Sequence, residues 1–315
     1  MASVLKEAYF HDEAAAFTAL EAILWPDGPI CPHCGVVGRA GKLEGVKDKK
    51  GRVRFGLWKC YEKECRKQFT VRKNTVFESS HLKLHQWSQA AYLLCSGKKG
   101  CSSNQLARTL GVTVKTGWFA SHRLREAMRS GDLAVPFGTG GGAVESDETF
   151  IGRQKGKPKQ RAWHHKMKVL TLVDRDTRQA RSAVVDNLKP ATLAPILRKN
   201  IAKEARLMTD EGTYYRPVGR EFAEHNVVNH KAEEYVRGDA HTNTAEGYFS
   251  VFKRGMKGVY QHCAEHHLHR YLAEFDFRYN GRIALGVDDL ARTTRALRGI
   301  IGKRLTYRDS SPAIG

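Results

Sequence analysis

The sequence predicts a multidomain α+β protein, with a small cysteine-containing module first, a helical pair next and a larger α/β core behind them. Three observations support this prediction. Two pairs of cysteines fall within the first 65 residues, a helical hydrophobic period begins at Leu84, and strand-like segments alternate with helical ones after residue 142. The predicted segments are 1–80, 81–130, a linker at 131–142, a core at 143–285 and a C-terminal tail at 286–315.

The charge of the chain indicates a polyanionic partner. Its 315 residues include 53 Lys and Arg against 33 Asp and Glu, a formal net charge of +20. Residues 51–100 hold 11 basic and 3 acidic side chains and residues 151–200 hold 13 and 3, whereas residues 201–250 hold 6 and 9. Two basic segments followed by an acidic one suit a protein that binds phosphates on one surface and holds metal on another. The alternative is a generically basic protein.

The hydropathy pattern argues against a membrane protein. The longest apolar runs are far shorter than the roughly 18 to 20 residues that cross a bilayer. The N-terminal segment carries acidic residues early and lacks a long apolar stretch, so we expect no signal peptide. The chain is therefore expected to be cytoplasmic, associated with the nucleoid, and to have no membrane partner.

Four cysteines in the first segment have the spacing of metal ligands. The run CPHCG places Cys31 and Cys34 in one knuckle, and Cys60 and Cys65 follow the strand-like run VRFGLWKC. Four thiolates satisfy tetrahedral Zn²⁺, and a short segment with few apolar residues needs such a staple. We predict a zinc ribbon with an N-terminal helix. His33 is an alternative ligand, but it lies inside the knuckle turn, so we prefer the four cysteines. The C-x4-C spacing of the second pair departs from the usual C-x2-C.

The middle segment predicts a helix-turn-helix. Ser103 can cap a short helix, Gly111 supplies the turn, and residues 114–128 form a longer amphipathic helix. The Gly-rich run SGDLAVPFGTGGG after it is typical of a linker. The alternative is a helical spacer that makes no groove contact. The side chains predicted to face DNA are Thr113, Lys115, Thr116, His122 and Arg123.

The third segment predicts the element order of a ribonuclease H-like α/β catalytic core. The run GAVESDETFIG alternates like a strand and contains Asp147, and a fourth strand ends at Asp210. Acidic residues on these strands and on a later helix suit two-metal phosphoryl transfer, for which hard oxygen ligands favour Mg²⁺ or Mn²⁺. The other predicted elements are strands at 168–174, 180–186, 205–210 and 225–229 and helices at 190–202 and 242–257.

The third acidic residue is chosen from helix geometry. Asn243, Glu246 and Lys253 project from one sector of the helix at 242–257. We favour Glu246 because a carboxylate binds metal better than an amide, and because 35 residues separate it from Asp210. Asn243 is the alternative third residue, or else it caps the helix or contacts metal or DNA. An ordinary amphipathic helix with a solvated charged face would show the same pattern.

Two glutamates beside Asp147 are judged by strand alternation. Side chains two residues apart lie on the same face of a strand, so Glu145 is a candidate for an extra ligand. Neighbouring side chains lie on opposite faces, so we expect Glu148 to point away from Asp147.

A basic hairpin tip is predicted between the first two strands of the core. Residues 153–161 carry five charges, together with Gly and Pro. Such a loop suits phosphate contacts, which position DNA without reading its sequence. A solvated loop without DNA contact is the alternative. The lysines predicted to contact DNA here are Lys155, Lys157 and Lys159.

The motifs VESDETFIG, MTDEG, HTNTAEGYFSVFKRGMKGVY and HLHRYLAEFDFRYNGR resemble the DDE-type insertion-sequence transposases with an N-terminal zinc ribbon. The resemblance runs from CPHCG to RYNGR, nearly the whole chain. It implies that Asp147 and Asp210 are the two catalytic aspartates, that Asn243 or Glu246 is the third site residue, and that Lys253 is the lysine that follows. We expect the helix that carries Lys253 to offer two further DNA contacts, Arg254 and Lys257.

The resemblance also implies a function. We expect a transposase that binds both ends of its element as a dimer or higher homo-oligomer on double-stranded DNA, and that catalyses metal-dependent strand cleavage and strand transfer. One alternative is a sequence-specific DNA-binding regulator with an inactive core, against which the presence of all three acidic residues argues. The other is a nuclease or Holliday-junction resolvase on the same fold, which has less need for both a ribbon and a helix-turn-helix.

Overall fold

The computed structural model describes residues 3–228 and 241–306. The chain forms two compact units. Unit 1 joins residues 1–128 to residues 286–315, and unit 2 comprises residues 129–285. The segments predicted as ribbon, helix-turn-helix and C-terminal tail therefore belong to one unit.

Unit 1 begins with a helix and a small sheet. Helix α1 (Glu13–Leu24) starts where Asp12 accepts a hydrogen bond from the Ala15 amide at 2.7 Å, an N-cap that satisfies an otherwise unpaired donor. Three antiparallel strands follow in the spatial order β1-β2-β3. These strands are β1 (Ala40–Leu43), β2 (Leu57–Cys60) and β3 (Gln68–Phe69).

Four helices complete unit 1. They are α2 (Leu84–Ser96), α3 (Ser103–Leu110), α4 (Val114–Met128) and, after unit 2, the helix of Asp289–Arg298, which is α9 in chain order. Phe77 and Trp87 stack with ring centroids 4.5 Å apart in the buried core. The buried Arg292 of α9 donates to the Cys95 carbonyl at 2.6 Å. The segment predicted as a tail thus contains a packed helix, which Asp288 caps by accepting from the Ala291 amide.

Unit 2 is built on a five-stranded sheet of spatial order β6-β5-β4-β7-β8. Strands β4, β5 and β6 pair antiparallel, whereas β7 and β8 run parallel to β4. Every residue of β5 is buried, as expected for a strand covered on both faces. The strands are β4 (Ala143–Ile151), β5 (Met167–Asp174), β6 (Ala180–Val185), β7 (Arg206–Thr209) and β8 (Glu224–Val227).

Helices pack on both faces of this sheet. One buried cluster joins Leu193 and Leu197 to Val144 and other sheet residues, and a second joins Phe252 and Phe275 to Val169. The first cluster includes residues of α5 (Pro190–Asn200) and α6 (Arg216–Gly219), and the second those of α7 (Asn243–Gly255) and α8 (Leu268–Asn280). Unit 2 therefore has three layers with one core on each side of the sheet.

The order of elements in unit 2 confirms the prediction, but several ends differ. The fifth strand begins one residue earlier than predicted, at Glu224, and ends at Val227; Asn229 lies outside the described residues. The helix predicted at 242–257 begins at Asn243 and ends at Gly255, where a π-helical turn (Met256–Tyr260) continues it. Asp210 follows the last residue of β7.

Among the described residues, none of the helices combines the length and the apolar character that crossing a membrane requires.

Candidate functional site

The four predicted cysteines come together in unit 1. Their sulfur atoms all lie within 4.8 Å of one another, with 3.7 Å between Cys31 and Cys65 and 3.7 Å between Cys34 and Cys60. A tetrahedron of sulfurs around zinc with Zn–S bonds of about 2.3 Å has edges of about 3.8 Å. The thiol positions therefore fit one tetrahedral zinc ion. His33 is exposed and is not part of the group.

Backbone turns hold these thiols in place. In the first knuckle the Gly35 amide donates to the Cys31 carbonyl at 2.8 Å, and Gly35 adopts a φ of 78°, which glycine tolerates best. In the second, the amides of Cys65 and Arg66 both donate to the Glu62 carbonyl. This extra turn accommodates the C-x4-C spacing. Trp25 packs edge-on against both Trp58 and Phe69 beside the cysteines.

Helices α3 and α4 pack closely around a glycine. A Cβ on Gly117 would lie 3.0 Å from the Ser103 carbonyl oxygen, so the helices approach closely there. Gly111 ends α3 in the left-handed conformation with φ 65°, as the predicted turn requires. The N-cap of α3 is Ser102, one residue before the predicted Ser103, because Ser102 accepts from the Gln105 amide.

The exposed start of α4 carries three of the residues predicted to face DNA. Thr113 caps the helix by accepting from the Thr116 amide at 3.2 Å, and the two hydroxyls lie 2.9 Å apart. Thr113 and Lys115 are exposed and Thr116 is half-buried. The other two residues differ from the prediction.

His122 and Arg123 are buried inside unit 1. The Arg123 guanidinium donates to the carbonyls of Leu305 and Glu78, each at 3.2 Å, and only 8% of the residue is exposed. His122 is 1% exposed and packs against Trp118. The prediction that both face DNA is therefore corrected: the C-terminal segment covers this part of α4, which residues 103–128 alone could not reveal.

Carboxylates gather in unit 2 where β4 extends beyond β7. The parallel register pairs Glu145 with Met208, so Asp147 and Asp210, each two residues further along, come opposite one another. Oxygens of Asp147, Glu148 and Asp210 all lie within 4.8 Å of one another. We call these three residues the acidic cluster. The prediction that Glu148 points away from the site is wrong, because two tyrosine hydroxyls hold its carboxylate in the acidic cluster.

Two tyrosines hold Glu148 in the acidic cluster. The Tyr214 hydroxyl donates to one carboxylate oxygen at 2.8 Å, and the buried Tyr215 hydroxyl donates to the other. Ser146 lies 2.9 Å from the Tyr215 hydroxyl. Asp210 accepts from the Gly212 amide at 3.0 Å.

The electrostatics of the acidic cluster favour a bound cation. Burial, with the added charges of Asp210 and Glu246, raises the pKa of Asp147 to about 7. Burial, together with the charges of Asp210 and Asp147, raises the pKa of Glu148 to about 8 despite its hydrogen bonds to the tyrosines. Crowded carboxylates that hold protons near neutrality need positive charge to ionise. Their hard oxygen donors suit Mg²⁺ or Mn²⁺.

Helix α7 lies beside the acidic cluster. Asn243 and Glu246 are exposed and do not belong to the three-carboxylate group, although the charges of Glu246 and Lys253 both act on Asp147. Lys253 is half-buried, and Arg254 is exposed and donates to the Ser250 carbonyl. The placement of α7 therefore leaves the choice between Asn243 and Glu246 as the third site residue open.

Comparison with known proteins matches both parts of the chain. Residues 140–280 match the ISXO2-like transposase domain, and residues 11–68 match the transposase zinc-ribbon domain. A protein of Halobacterium salinarum, described as an uncharacterized protein in transposable element ISH50, is 26% identical over 289 residues. That alignment covers 85% of this chain and 91% of the relative. The chain therefore contains matches to an ISXO2-like transposase domain and to a transposase zinc ribbon.

Glu145, within the matched transposase domain, has its carboxylate oxygens occupied by neighbouring groups. It is fully buried and accepts from Arg175 at 2.7 Å, and His241 lies 3.2 Å away. Its other oxygen accepts from the amides of Thr244 and Ala245, each at 2.9 Å. Glu145 thus caps the N-terminus of α7 from strand β4, and these partners occupy the oxygens that an extra metal ligand would need.

The basic hairpin of the transposase-family domain lies between β4 and β5, as predicted. Lys155, Lys157 and Lys159 are exposed. Gln154 and the amide of Lys155 donate to the two carboxylate oxygens of Glu265, at 3.1 and 3.2 Å. The base of the hairpin is therefore anchored, while its lysines remain available to solvent.

Proposed function

We propose that this protein is a DNA transposase that binds the ends of an insertion sequence and catalyses metal-dependent strand cleavage and strand transfer. The observation that carries the proposal is a crowded cluster of Asp147, Glu148 and Asp210 inside an ISXO2-like transposase domain. The relative named for a transposable element supports the same setting.

The proposed core is ribonuclease H-like. The sheet of unit 2 has three antiparallel strands followed by two parallel ones, with helices on both faces. This arrangement supports the proposal because it brings the first strand, which carries Asp147, to the centre of the sheet beside the strand that precedes Asp210.

Asp147 and Asp210 are proposed as ligands of a catalytic Mg²⁺ or Mn²⁺. Glu246 is proposed as the third acidic residue, with Asn243 as its alternative, and the position of Glu148 adds a further oxygen donor. A bound divalent ion would activate the attacking oxygen and stabilise the leaving one. The tyrosines that hold Glu148 fix the orientation of its carboxylate.

The side chains of α7 are proposed to position the DNA. Glu145 fixes the start of the helix against β4, so α7 is a rigid element that holds Glu246 and Lys253 where their charges act on Asp147. Lys253 would contact a phosphate near the bond that is cut, and Arg254 and Lys257 would contact the same strand.

Unit 1 is proposed as the end-binding part. A structural Zn²⁺ held by Cys31, Cys34, Cys60 and Cys65 would fix the ribbon. Lys115 and Thr116, at the start of α4, would contact DNA in a helix-turn-helix arrangement. Arg123 is left out of this surface because it is buried.

The wider setting follows from the chemistry. Joining two element ends to a target requires both ends in one complex, so we propose a homo-oligomer on DNA, a dimer or larger. Double-stranded DNA is the partner, and the bacterial or archaeal nucleoid within the cytoplasm is the proposed location.

A strand-transfer assay with labelled element ends tests the proposed function. Joined product in Mg²⁺ or Mn²⁺ supports a transposase, cleavage alone supports a nuclease or resolvase, and binding with neither supports a regulator. Asp147→Asn and Asp210→Asn should each abolish cleavage and leave end binding nearly intact, because neither substitution removes a proposed DNA contact. Full activity of both variants would contradict the metal mechanism.

A further inference from the structure

A cavity of about 410 Å³ opens beside α7 in unit 2. Its wall is formed by the end of β4, the segment just before β5 and the π-helical turn that follows α7. Three lysines line it from separate elements: Lys166 before β5, Lys253 on α7 and Lys257 on the π-helical turn. We call it the lysine pocket.

In the part of the chain that the structure describes, none of the three lysines of the pocket has a carboxylate oxygen within ion-pair distance, although the charges of Asp147 and Glu246 act on Lys253. Burial lowers the pKa of Lys253, and the charges of Lys257 and Lys166 lower it further, against the raising effect of Asp147. The charges of Lys257 and Lys166 thus act unfavourably on Lys253 at this cavity, and a bound anion would relieve that repulsion.

The backbone of the pocket has an unusual shape. The five-residue π-helical turn ends at Gln261, whose φ of 57° and ψ of −51° are rare for a residue other than glycine. Gln261 itself lines the pocket. Strained conformations and π-helical turns persist where the surrounding structure needs a particular shape, and here they turn the chain around the cavity.

The pocket lies within reach of the acidic cluster along β4. Phe150 lines the pocket and Asp147 belongs to the cluster, three residues apart on the same strand, or about 10 Å at the usual strand rise. Lys253 connects the two sites, because it lines the pocket and its charge acts on Asp147. A DNA strand that crosses the cluster would bring a neighbouring phosphate to the pocket.

We propose that Lys166, Lys253 and Lys257 together bind a single backbone phosphate of the DNA strand that is cut, one adjacent to the scissile phosphate. The inference rests on the proposed function and adds Lys166, which lies outside the motifs that the sequence singles out. Three lysines that share one phosphate can be distinguished from three lysines that each contact their own. The salt dependence of DNA binding reports the number of neutralised phosphates, not the number of lysines.

The test measures the affinity of the full chain for a 30-base-pair DNA duplex of element-end sequence across a range of salt concentrations. Each neutralised phosphate contributes about 0.9 to the slope of log affinity against log salt. The triple variant Lys166→Met, Lys253→Met and Lys257→Met should lower the slope by about 0.9, one phosphate. A fall of about 2.7 would show three separate phosphates, and no fall would show no contact; either result overturns the proposal.

The hairpin offers a control of equal charge. Lys155→Met, Lys157→Met and Lys159→Met together remove the same three charges from an exposed loop, where each lysine can reach its own phosphate. That variant should lower the slope by more than the pocket variant does. If the wild-type chain does not bind the duplex at all, that result contradicts the proposed function and, with it, the proposal that the pocket binds a DNA phosphate.

A single substitution keeps the test decisive if the triple variant does not fold. Lys166→Met should weaken binding by about tenfold, the effect of one charge-assisted hydrogen bond. Lys189→Met, which removes an exposed lysine at the start of α5, should leave affinity unchanged. Equal affinity of both variants would overturn the proposal.

The position of the phosphate is tested with neutral methylphosphonate linkages placed one at a time on either side of the cleavage site. At one position the methylphosphonate should weaken binding by the wild-type chain but not by Lys166→Met, because the variant has already lost the contact between Lys166 and that phosphate. Additive losses at every linkage would contradict a pocket that holds one defined phosphate.

Discussion

Four sulfur atoms lie within 4.8 Å of one another in unit 1, and oxygens of three carboxylates do so in unit 2. The sulfurs come from two backbone knuckles, and their 3.7 Å separations already match a tetrahedral ion. The carboxylates come from two strands, and their crowding raises the pKa of Asp147 to about 7. A bound zinc ion would hold the four thiolates together, whereas crowded ionised carboxylates repel one another until a cation binds. We therefore expect that removing a cysteine destabilises the zinc-loaded ribbon. Removing a carboxylate should stabilise unit 2 when its metal is absent.

The largest effect is expected at the cysteines. Cys60→Ser should release the zinc and unfold the ribbon, because structural zinc supplies about 10 to 16 kcal/mol in small zinc modules. Zinc content per chain and limited proteolysis of residues 1–80 measure the outcome. Cys263→Ser, outside the cluster, is the control and should retain one zinc. A folded, protease-resistant ribbon without zinc would show that the ribbon does not need zinc to fold.

The next effect concerns the cap that holds α7. Glu145→Ala should cost about 3 to 5 kcal/mol in unit 2, because Arg175 and two helix amides lose a fully buried partner. Glu145→Gln should cost less, since its amide oxygen still accepts a hydrogen bond. Urea unfolding measures both.

Unit 1 supplies a matched control for that cap. Glu13 accepts from the Leu84 amide at 2.9 Å and from His85 at 3.0 Å, but 20% of its side chain is exposed. Glu13→Ala should therefore cost only about 1 to 2 kcal/mol. Equal costs for the two substitutions would show that burial does not set the strength of these caps.

Removing a carboxylate from the acidic cluster should stabilise the protein. The pKa of Asp147 is about 7 in the folded chain, above its ordinary value of 3.8. The contribution of Asp147 to the free energy of unfolding is therefore complete below about pH 4 and is lost as pH rises through 7. Metal-free Asp147→Asn should thus be more stable than wild type by roughly 2 to 4 kcal/mol at pH 8 and equal to it near pH 4.

Two controls accompany this pH series. Added Mg²⁺ should remove the difference at pH 8, because the ion binds the wild-type carboxylate. Asp48→Asn should give no stabilisation, since hydrogen bonds from Arg52 lower the pKa of Asp48. A wild-type chain more stable than Asp147→Asn at pH 8 without metal would contradict the account of crowded charges.

The smallest effect on stability is expected at Glu246. This exposed side chain lies at the start of α7, so Glu246→Gln should change the free energy of unfolding by less than about 0.5 kcal/mol. DNA cleavage should nevertheless be lost if Glu246 is the third site residue. Near-normal cleavage by Glu246→Gln together with loss in Asn243→Ala would assign that role to Asn243.

The sequence predicts the cysteine set well because its ligands are local. Cys31 and Cys34 are separated by two residues, and their spacing in a turn limits where their thiols can point. Asp147 and Asp210 could also be predicted, since each falls on or directly after a strand with a clear pattern. The place of Glu148 could not be predicted, because the two tyrosines that donate to it are distant in sequence and strand alternation does not reveal them.

Tertiary burial explains the remaining differences. His122 and Arg123 lie on a helix whose pattern predicts exposure, but the backbone near Leu305 accepts a hydrogen bond from Arg123. The helix α9 carried a local signal in Asp288, which caps it, followed by apolar residues at helical spacing. The lysine pocket depends on three elements far apart in sequence, so no local pattern could indicate it.

Titration of the purified, zinc-loaded chain with Mn²⁺ tests the central claim most directly. We predict that the wild-type chain binds Mn²⁺ at the acidic cluster. Asp147→Asn and Asp210→Asn should each weaken this binding at least about tenfold. All three proteins should keep their zinc. Mn²⁺ affinity unchanged in both variants would contradict the assignment of the acidic cluster as the catalytic metal site.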